Sequence, residues 1–400
     1  MSTTGEPQTK PQQTAEMGAK LLAFSSIPVI DIAALSGDDR AAFEAAARKI
    51  AEACETVGFF YIKNHGVPEA LIERAYTHSR AFHCSDEALK RQVHVSRSPG
   101  SRGWVPLSDE DGDPNPYYVH PPEPGKLDHY TRPRLHETFD LAIEIADDDP
   151  DFLAGNVMLV PNQWPEWIPQ FREDIITYYN AVQGVGANLF RAFAFGLGLP
   201  DDYFVKLTTK TPSQLRLLHY PPNEQPMDDS HFGIRAHSDF ECFTVLHQNA
   251  PGLQVMNAAD EWVAAPPIEG TFIVNIGDML EGWTNGRFKA TQHRVVNTGK
   301  DRYSMPLFFA VDYHTEIEPL PQFVSEANPS KYSKIVAGDH LASFSVQLTR
   351  HLRKKVVLGE LKVDFPLPKD NPFKRIAVNE YQGPNAEAAP APAAKTDERP

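Results

Sequence analysis

Between Ser213 and Tyr313 the chain breaks into short apolar runs: Leu215 to Tyr220, Thr244 to Leu246, Leu253 to Val255, Phe272 to Asn275, and Leu307 to Phe309. Each is bounded by Gly, Pro, Asn or Asp. Such runs are too short for packed helices, and their regular interruption by turn formers is the pattern of a β-sandwich or jelly roll. The expected fold class is therefore mainly β with flanking helices.

At 400 residues and 41% hydrophobic content, the chain can bury one large core, and we expect a single large domain with helical additions. Residues 1–24, rich in Thr, Gln, Lys and Glu, and 383–400, rich in Pro and Ala, read as tails that cannot bury enough apolar surface to order themselves. The division expected between them is 25–170 as an N-terminal region with long loops, 171–210 as a packing helix, 211–320 as the β core and 321–382 as a helical extension. Within the first region, Ile27 to Asp31 and Phe59 to Ile62 read as strands around a helix that presents Phe43, Ala46, Ala47, Ile50 and Cys54 on one face. From Ser98 to Pro169 the sequence shows little periodicity, which predicts loops draped over a scaffold. The next helix carries Ile175, Tyr178, Val182, Val185 and Leu189 at helical spacing, and Gly184 and Gly186 inside it predict close packing against a sheet. A last amphipathic helix is expected over Asp339 to Lys355, with Arg350 to Lys355 as its solvated end.

A formal charge of −15 repels phosphate backbones and argues against nucleic acid as a partner. The three cysteines, Cys54, Cys84 and Cys242, form neither a disulfide framework nor a CxxC pair, which fits a reducing cytoplasm. No run approaches a membrane span, and no coiled-coil heptads occur. The expectation is a cytoplasmic monomer or weak homo-oligomer acting on a small molecule.

The β region also carries His237-Ser238-Asp239. In an extended segment residues i and i+2 point the same way, so His237 and Asp239 can reach one metal while Ser238 faces aside. His293, from another strand, completes two imidazoles and one carboxylate, the donor set that occupies one face of an octahedral Fe(II) and leaves three positions for a chelating co-substrate and dioxygen. Alone the triplet is weak, and His314-Thr315-Glu316 is a decoy of the same form. What separates them is Arg302 and Ser304, which follow His293 and share one face of the next strand. A buried guanidinium is costly unless an anion meets it, and its planar fork suits a carboxylate. Zinc also takes two histidines and a carboxylate, with bound water as nucleophile, but that reading leaves Arg302 and Ser304 without a role. A barrel that retains the ligands and acts only as a binding module is the third reading.

These blocks together resemble the iron- and 2-oxoglutarate-dependent dioxygenases of the isopenicillin N synthase-like superfamily, over about Ile27 to Pro366. The resemblance also rests on Gly58 to Val67, Arg102-Gly103-Trp104, Glu137 to Asp140, Pro161 to Pro165, and Leu218-His219-Tyr220-Pro221, which is similar to the family's Asn-x-Tyr-Pro motif but has leucine in place of asparagine. It implies a distorted double-stranded β-helix, a cupin-like jelly roll, with Fe(II) on His237, Asp239 and His293. The distal carboxylate of 2-oxoglutarate would be held by Arg302, Ser304 and Tyr220. Dioxygen is then consumed with release of succinate and carbon dioxide, and the substrate is hydroxylated, desaturated or cyclised. Isopenicillin N synthase carries much the same Arg-x-Ser without using 2-oxoglutarate, so an Fe(II) oxidase stands as the alternative.

By alternation Phe308 shares the face of Arg302 and Ser304, where it walls the pocket or belongs to the barrel core. Asn275 is a polar residue in an apolar strand that either hydrogen-bonds near the metal or builds the turn with Asp278. Arg102, Trp104, Tyr117 and Tyr118 fall in the irregular region expected to cover the barrel mouth, which makes them candidates for substrate contact.

Overall fold

The computed structural model describes residues 27–369 except 109–112, 114, 122–134, 224–232 and 258. Both expected tails lie outside the described residues. In chain order the strands are β1 (Val29–Asp31), β2 (Phe59–Lys63), β3 (Gly103–Val105), β4 (Glu137–Ala142), β5 (Gln214–Tyr220), β6 (Ile234–His237), β7 (Phe243–Gln248), β8 (Leu253–Met256), β9 (Trp262–Ala264), β10 (Thr271–Ile276), β11 (His293–Val295), β12 (Arg302–Phe309), β13 (Glu316–Ile317) and β14 (Ile335–Val336). The helices are α1 (Arg40–Thr56), α2 (Glu69–His83), α3 (Glu87–Lys90), α4 (Pro150–Leu153), α5 (Phe171–Gly196), α6 (Asp278–Trp283), α7 (Ala337–Leu348) and α8 (Arg350–Val357).

Eight strands form one sheet in the order β1-β2-β10-β7-β12-β5-β4-β3, and four form a second in the order β6-β11-β8-β9. Strands from the N-terminal region and from the β core thus share the larger sheet. Strand alternation gives this sheet two apolar faces. The inner face sets Phe59, Tyr61, Leu218 and Ile273 against Val255 and Val295 of the smaller sheet. The outer face sets Phe60, Leu217, Phe243 and Phe309 against helices including α1 and α5. The result is the distorted double-stranded β-helix: two facing sheets, with helices layered on the back of the larger one.

Local chemistry explains the supporting helices. The Asp39 carboxylate caps α1 by accepting from the Ala42 N–H at 3.0 Å, and the predicted apolar face of Phe43, Ala46, Ala47, Ile50 and Cys54 is buried. In α5 the two glycines differ. A Cβ at Gly186 would stand 1.9 Å from the Phe309 ring of β12, whereas one at Gly184 would meet nothing within 4 Å. Close packing against the sheet therefore accounts for Gly186 alone.

Two expectations need correction. The stretch 98–169 is not all loop, because β4 pairs along its length with β5 and carries β3 at the sheet edge. The expected helix over 339–355 is two helices, α7 and α8, interrupted at Thr349 in an extended conformation. Helix α2 has no counterpart among the helices expected from the sequence.

Candidate active site

His237 ends β6 and His293 begins β11, and the antiparallel register pairs them directly. Their rings lie 4.3 Å apart between centroids. Asp239 follows His237 by two residues, and its segment is fixed from below: the N–H of Asp278, at the start of α6, donates to the Asp239 carbonyl at 2.8 Å. Gly277 makes that approach possible, since a Cβ there would stand 2.2 Å from the Glu241 carbonyl oxygen. Both imidazole Nε2 atoms stand 3.6 Å from the same Asp239 oxygen, Oδ1. Among the described residues this is the one group of three His, Cys, Asp or Glu side chains whose ligand atoms all converge within 4.8 Å. The decoy His314 is exposed and sits 3.6 Å from Asp151.

The surrounding hydrogen bonds aim the donor atoms inward. His237 Nδ1 donates to the Arg235 carbonyl at 2.6 Å, and His293 Nδ1 donates to the Thr291 carbonyl at 3.3 Å. A carbonyl only accepts, so the hydrogen sits on Nδ1 and the Nε2 lone pair is left for a cation. On Asp239 the second oxygen, Oδ2, accepts from Thr244 Oγ1 and from Asn275 Nδ2 at 2.7 Å, which leaves Oδ1 toward the histidines. Burial works against ionisation of Asp239, but the two histidines, Asn275 and Thr244 outweigh it and hold the carboxyl below its usual range. Two neutral imidazoles and one carboxylate with three donor atoms aimed at one point fit Fe(II).

The anchor residues lie on the inner face of the larger sheet. Strand β12 pairs with β5 so that Arg302 faces Tyr220 and Ser304 faces Leu218. Arg302 is 2% exposed. Its guanidinium donates to Gln248 Oε1 at 2.9 Å, Ser304 Oγ at 3.3 Å and the Ala250 carbonyl at 3.2 Å, and lies 4.6 Å from the Tyr220 ring centroid. Every one of these partners is neutral, and among the described residues no carboxylate pairs with Arg302. The site therefore holds a buried positive charge on the same inner face as Thr244 and Asn275, the residues that orient Asp239.

Five substrate-side candidates were read from the sequence, and the structure places them differently; Tyr117 is buried, with its hydroxyl donating to the Asp113 carboxylate. Phe308 is half-buried on the inner face, paired with Thr244, and has the Arg216 guanidinium 5.7 Å from its ring. Tyr118 is half-buried in the segment 115–121. Arg102 and Trp104 do not cover the mouth. Arg102 is fully buried, donating to the Met158 and Ser101 carbonyls and to Gln214 Oε1, so it pins two loop segments to β5; burial lowers its pKa to about 10. Trp104 pairs with Phe139 on the helix side of the sheet, where its Nε1 donates to Glu137 at 2.8 Å and Lys90 lies over its ring.

No pattern in the sequence marks Thr244, Gln248 or the bidentate Arg216–Asp140 ion pair, with contacts of 2.8 and 2.9 Å on the inner face. Arg350 to Lys355 is not the solvated helix end that its charge pattern suggests. Instead Arg350 and Arg353 donate to carbonyls of Asn115 and Pro116, and Lys354 reaches Asp113 at 3.0 Å, so α8 grips the loop before Tyr118. On α7, Phe344 stacks on Phe240, the neighbour of Asp239, at 3.9 Å.

With fold and site in view, the comparisons with known proteins agree on a class. Residues 211–311 match the 2OG-Fe(II) oxygenase superfamily, and residues 27–167 match the family described as non-haem dioxygenase in morphine synthesis N-terminal. A 2-oxoglutarate-Fe(II) type oxidoreductase of Emericella nidulans, hxnY, is 30% identical over 325 residues, covering 80% of this chain and 89% of its own. A homoarginine-6-hydroxylase of Glycine max is 32% identical over 336 residues, covering 80% of this chain and 96% of its own. Among solved structures, a full-length Neurospora crassa protein in complex with alpha-KG superposes with a TM-score of 0.67 at 25% identity, covering 80% of this chain and 95% of that one. A putative 2OG-Fe(II) oxygenase family protein of Caulobacter crescentus gives 0.65 at 29% identity, covering 84% and 99%.

The chain belongs to the 2-oxoglutarate- and Fe(II)-dependent oxygenase superfamily. It is a 2-oxoglutarate-dependent dioxygenase whose cofactor is Fe(II) and whose co-substrates are 2-oxoglutarate and dioxygen; the oxidase alternative gives way to this reading. No helix among the described residues is long and apolar enough to cross a membrane.

Proposed function

We propose that this dioxygenase oxidises a small organic molecule, with His237, Asp239 and His293 as the iron ligands and Arg302, Ser304 and Tyr220 as the holders of the distal carboxylate of 2-oxoglutarate. The observation that carries the reading is the Arg302 guanidinium, buried among neutral partners on the face that also orients Asp239. An unpaired buried charge is destabilising on its own, and a dicarboxylate spanning iron and Arg302 removes the penalty.

Iron bound there supplies the redox chemistry that couples decarboxylation of 2-oxoglutarate to oxidation of the substrate by dioxygen. The chain's own residues do the positioning. Arg235 and Thr291 hold the imidazole tautomers, Thr244 and Asn275 hold the Asp239 carboxylate, and Gln248 and Ala250 fix the Arg302 fork. Burial keeps the Tyr220 hydroxyl protonated, so it remains a hydrogen-bond donor toward a carboxylate.

On the substrate side, Phe308 supplies an apolar wall and Arg216, one-third exposed beside it, supplies a polar one. Tyr118, half-buried in the loop that α8 grips, is the further candidate for substrate contact. A small molecule with both an apolar body and a hydrogen-bonding group suits such a lining. Neighbouring structures hold compounds of this size, thymine in one and JA in another. Screening polar small molecules for substrate-dependent succinate release tests the proposal: a true substrate raises succinate above the uncoupled rate in wild type, and Phe308→Ala weakens its KM without abolishing uncoupled turnover.

A further inference from the structure

We propose that His219 is a positioning residue for the 2-oxoglutarate anchor: its imidazolium, clamped between Glu137 and Asp301 on the back of the sheet, fixes the start of β12 and with it Arg302. The inference rests on the reading of Arg302 as the carboxylate anchor.

Strand alternation sets the geometry. Tyr220 and Leu218 face inward from β5, so His219 between them faces outward, opposite Tyr303 of β12 and Glu137 of β4. Its Nδ1 lies 2.9 Å from Glu137 Oε1 and its Nε2 lies 2.8 Å from Asp301 Oδ1. Its ring stacks on Tyr303 at 4.5 Å and 13°. Carboxylate oxygens only accept, so both contacts are hydrogen bonds only when both ring nitrogens carry a proton. A neutral ring would turn one lone pair against a carboxylate.

The remaining groups around the ring make one side of the clamp rigid and leave the other free to move. Glu137 is buried and also accepts from Lys90 Nζ at 2.9 Å and Trp104 Nε1 at 2.8 Å, so it is tied to α3 and β3 as well as β5. His83 of α2 lies 5.3 Å from His219 and is kept neutral by burial. Around Tyr303, the Arg80 guanidinium lies 5.7 Å from the ring centroid and Cys84 contacts the hydroxyl. Asp301, in contrast, is half-exposed and directly precedes Arg302. Desolvation opposes the charge on His219, but Glu137 and Asp301 outweigh it and raise its pKa. The clamp is therefore closed at low pH and released as pH rises through the His219 titration, freeing Asp301 and the base of Arg302.

The test is anaerobic titration of Fe(II)-loaded enzyme with 2-oxoglutarate, following the charge-transfer absorbance, from about pH 6.5 to about pH 9, the range above the ordinary histidine pKa. Wild type is expected to weaken by about fivefold or more across that range, the low end of couplings between linked sites. In Asp301→Asn the amide can donate to a neutral Nε2, so the alkaline loss flattens; the exposed position leaves folding intact, which a thermal scan verifies. Arg302→Ala separates the two readings. If it binds 2-oxoglutarate as tightly as wild type, the anchor reading fails. If it binds weakly while Asp301→Asn keeps the alkaline loss of wild type, or wild type shows none, the role of His219 alone is overturned.

Discussion

His237 and His293 are directly paired across two antiparallel strands, and both turn Nε2 toward the same oxygen of Asp239. Sheet register alone brings together residues 56 positions apart in sequence, as 293 − 237 shows. The centre therefore depends on the pairing of β6 with β11 as much as on the three side chains.

Replacing any of the three with alanine, His237→Ala, Asp239→Ala or His293→Ala, is expected to abolish stoichiometric iron binding and turnover while the circular dichroism spectrum stays that of the wild type. Metal content after anaerobic loading and desalting checks it. Retention of full iron by Asp239→Ala would remove that residue from the ligand set.

Thr244→Val and Asn275→Ala leave all three ligands in place but free the Asp239 carboxylate to rotate. Loss of such orienting partners costs about 10- to 100-fold in metal affinity. Competition with a chelator of known affinity measures it, and each variant should still bind iron at saturation.

Arg302→Ala removes the charge proposed to meet the distal carboxylate. Hydrogen bonds to charged groups are worth about 1.5–3 kcal/mol, so the KM for 2-oxoglutarate should rise roughly 10- to 100-fold or more. Iron affinity should not change, because Arg302 touches none of the three ligands.

The legible parts of this molecule are those governed by local periodicity. The strands β5, β7, β8, β10 and β12, the helices α1 and α5 and the His-x-Asp pair follow from short apolar runs, alternation and helical spacing. Strand β4 was hidden because Glu137 and Asp140 interrupt its apolar pattern, and the groups that neutralise them, Lys90, His219 and Arg216, are distant in sequence. Arg102 and Trp104 were misplaced for a related reason: which face a residue near a strand end presents depends on a register that the sequence does not announce. Asn275 stood out as polar in an apolar run, whereas Thr244 did not, since threonine is ordinary in strands.

The two glycines of α5 give a packing test. Gly186→Ala places a methyl group against Phe309 and should destabilise by about 1–3 kcal/mol, the usual cost of overpacking. Gly184→Ala meets open space and should stabilise by up to about 1 kcal/mol through helix propensity. Denaturant midpoints distinguish them.

Acid should weaken the fold already above the carboxylate range. Burial lowers His83 to about 3 and His247 to about 4. A histidine whose folded pKa is depressed stabilises fully above its unfolded value near 6.5, and stability falls as pH drops below that because the unfolded chain takes up the proton. Each such group contributes a slope of about 1.4 kcal/mol per pH unit. Denaturant titrations between about pH 7.5 and about pH 5 should show this decline, with a shallower slope in His247→Gln.

The central claim is that one inner face holds iron at His237, Asp239 and His293 and 2-oxoglutarate at Arg302. It is tested most directly by adding 2-oxoglutarate to the anaerobic Fe(II)-loaded protein and recording the visible spectrum. The account predicts a weak metal-to-ligand charge-transfer band in wild type, absent in His237→Ala and shifted to higher 2-oxoglutarate concentration in Arg302→Ala. Iron binding without any band, or a band of unchanged affinity in Arg302→Ala, would contradict it.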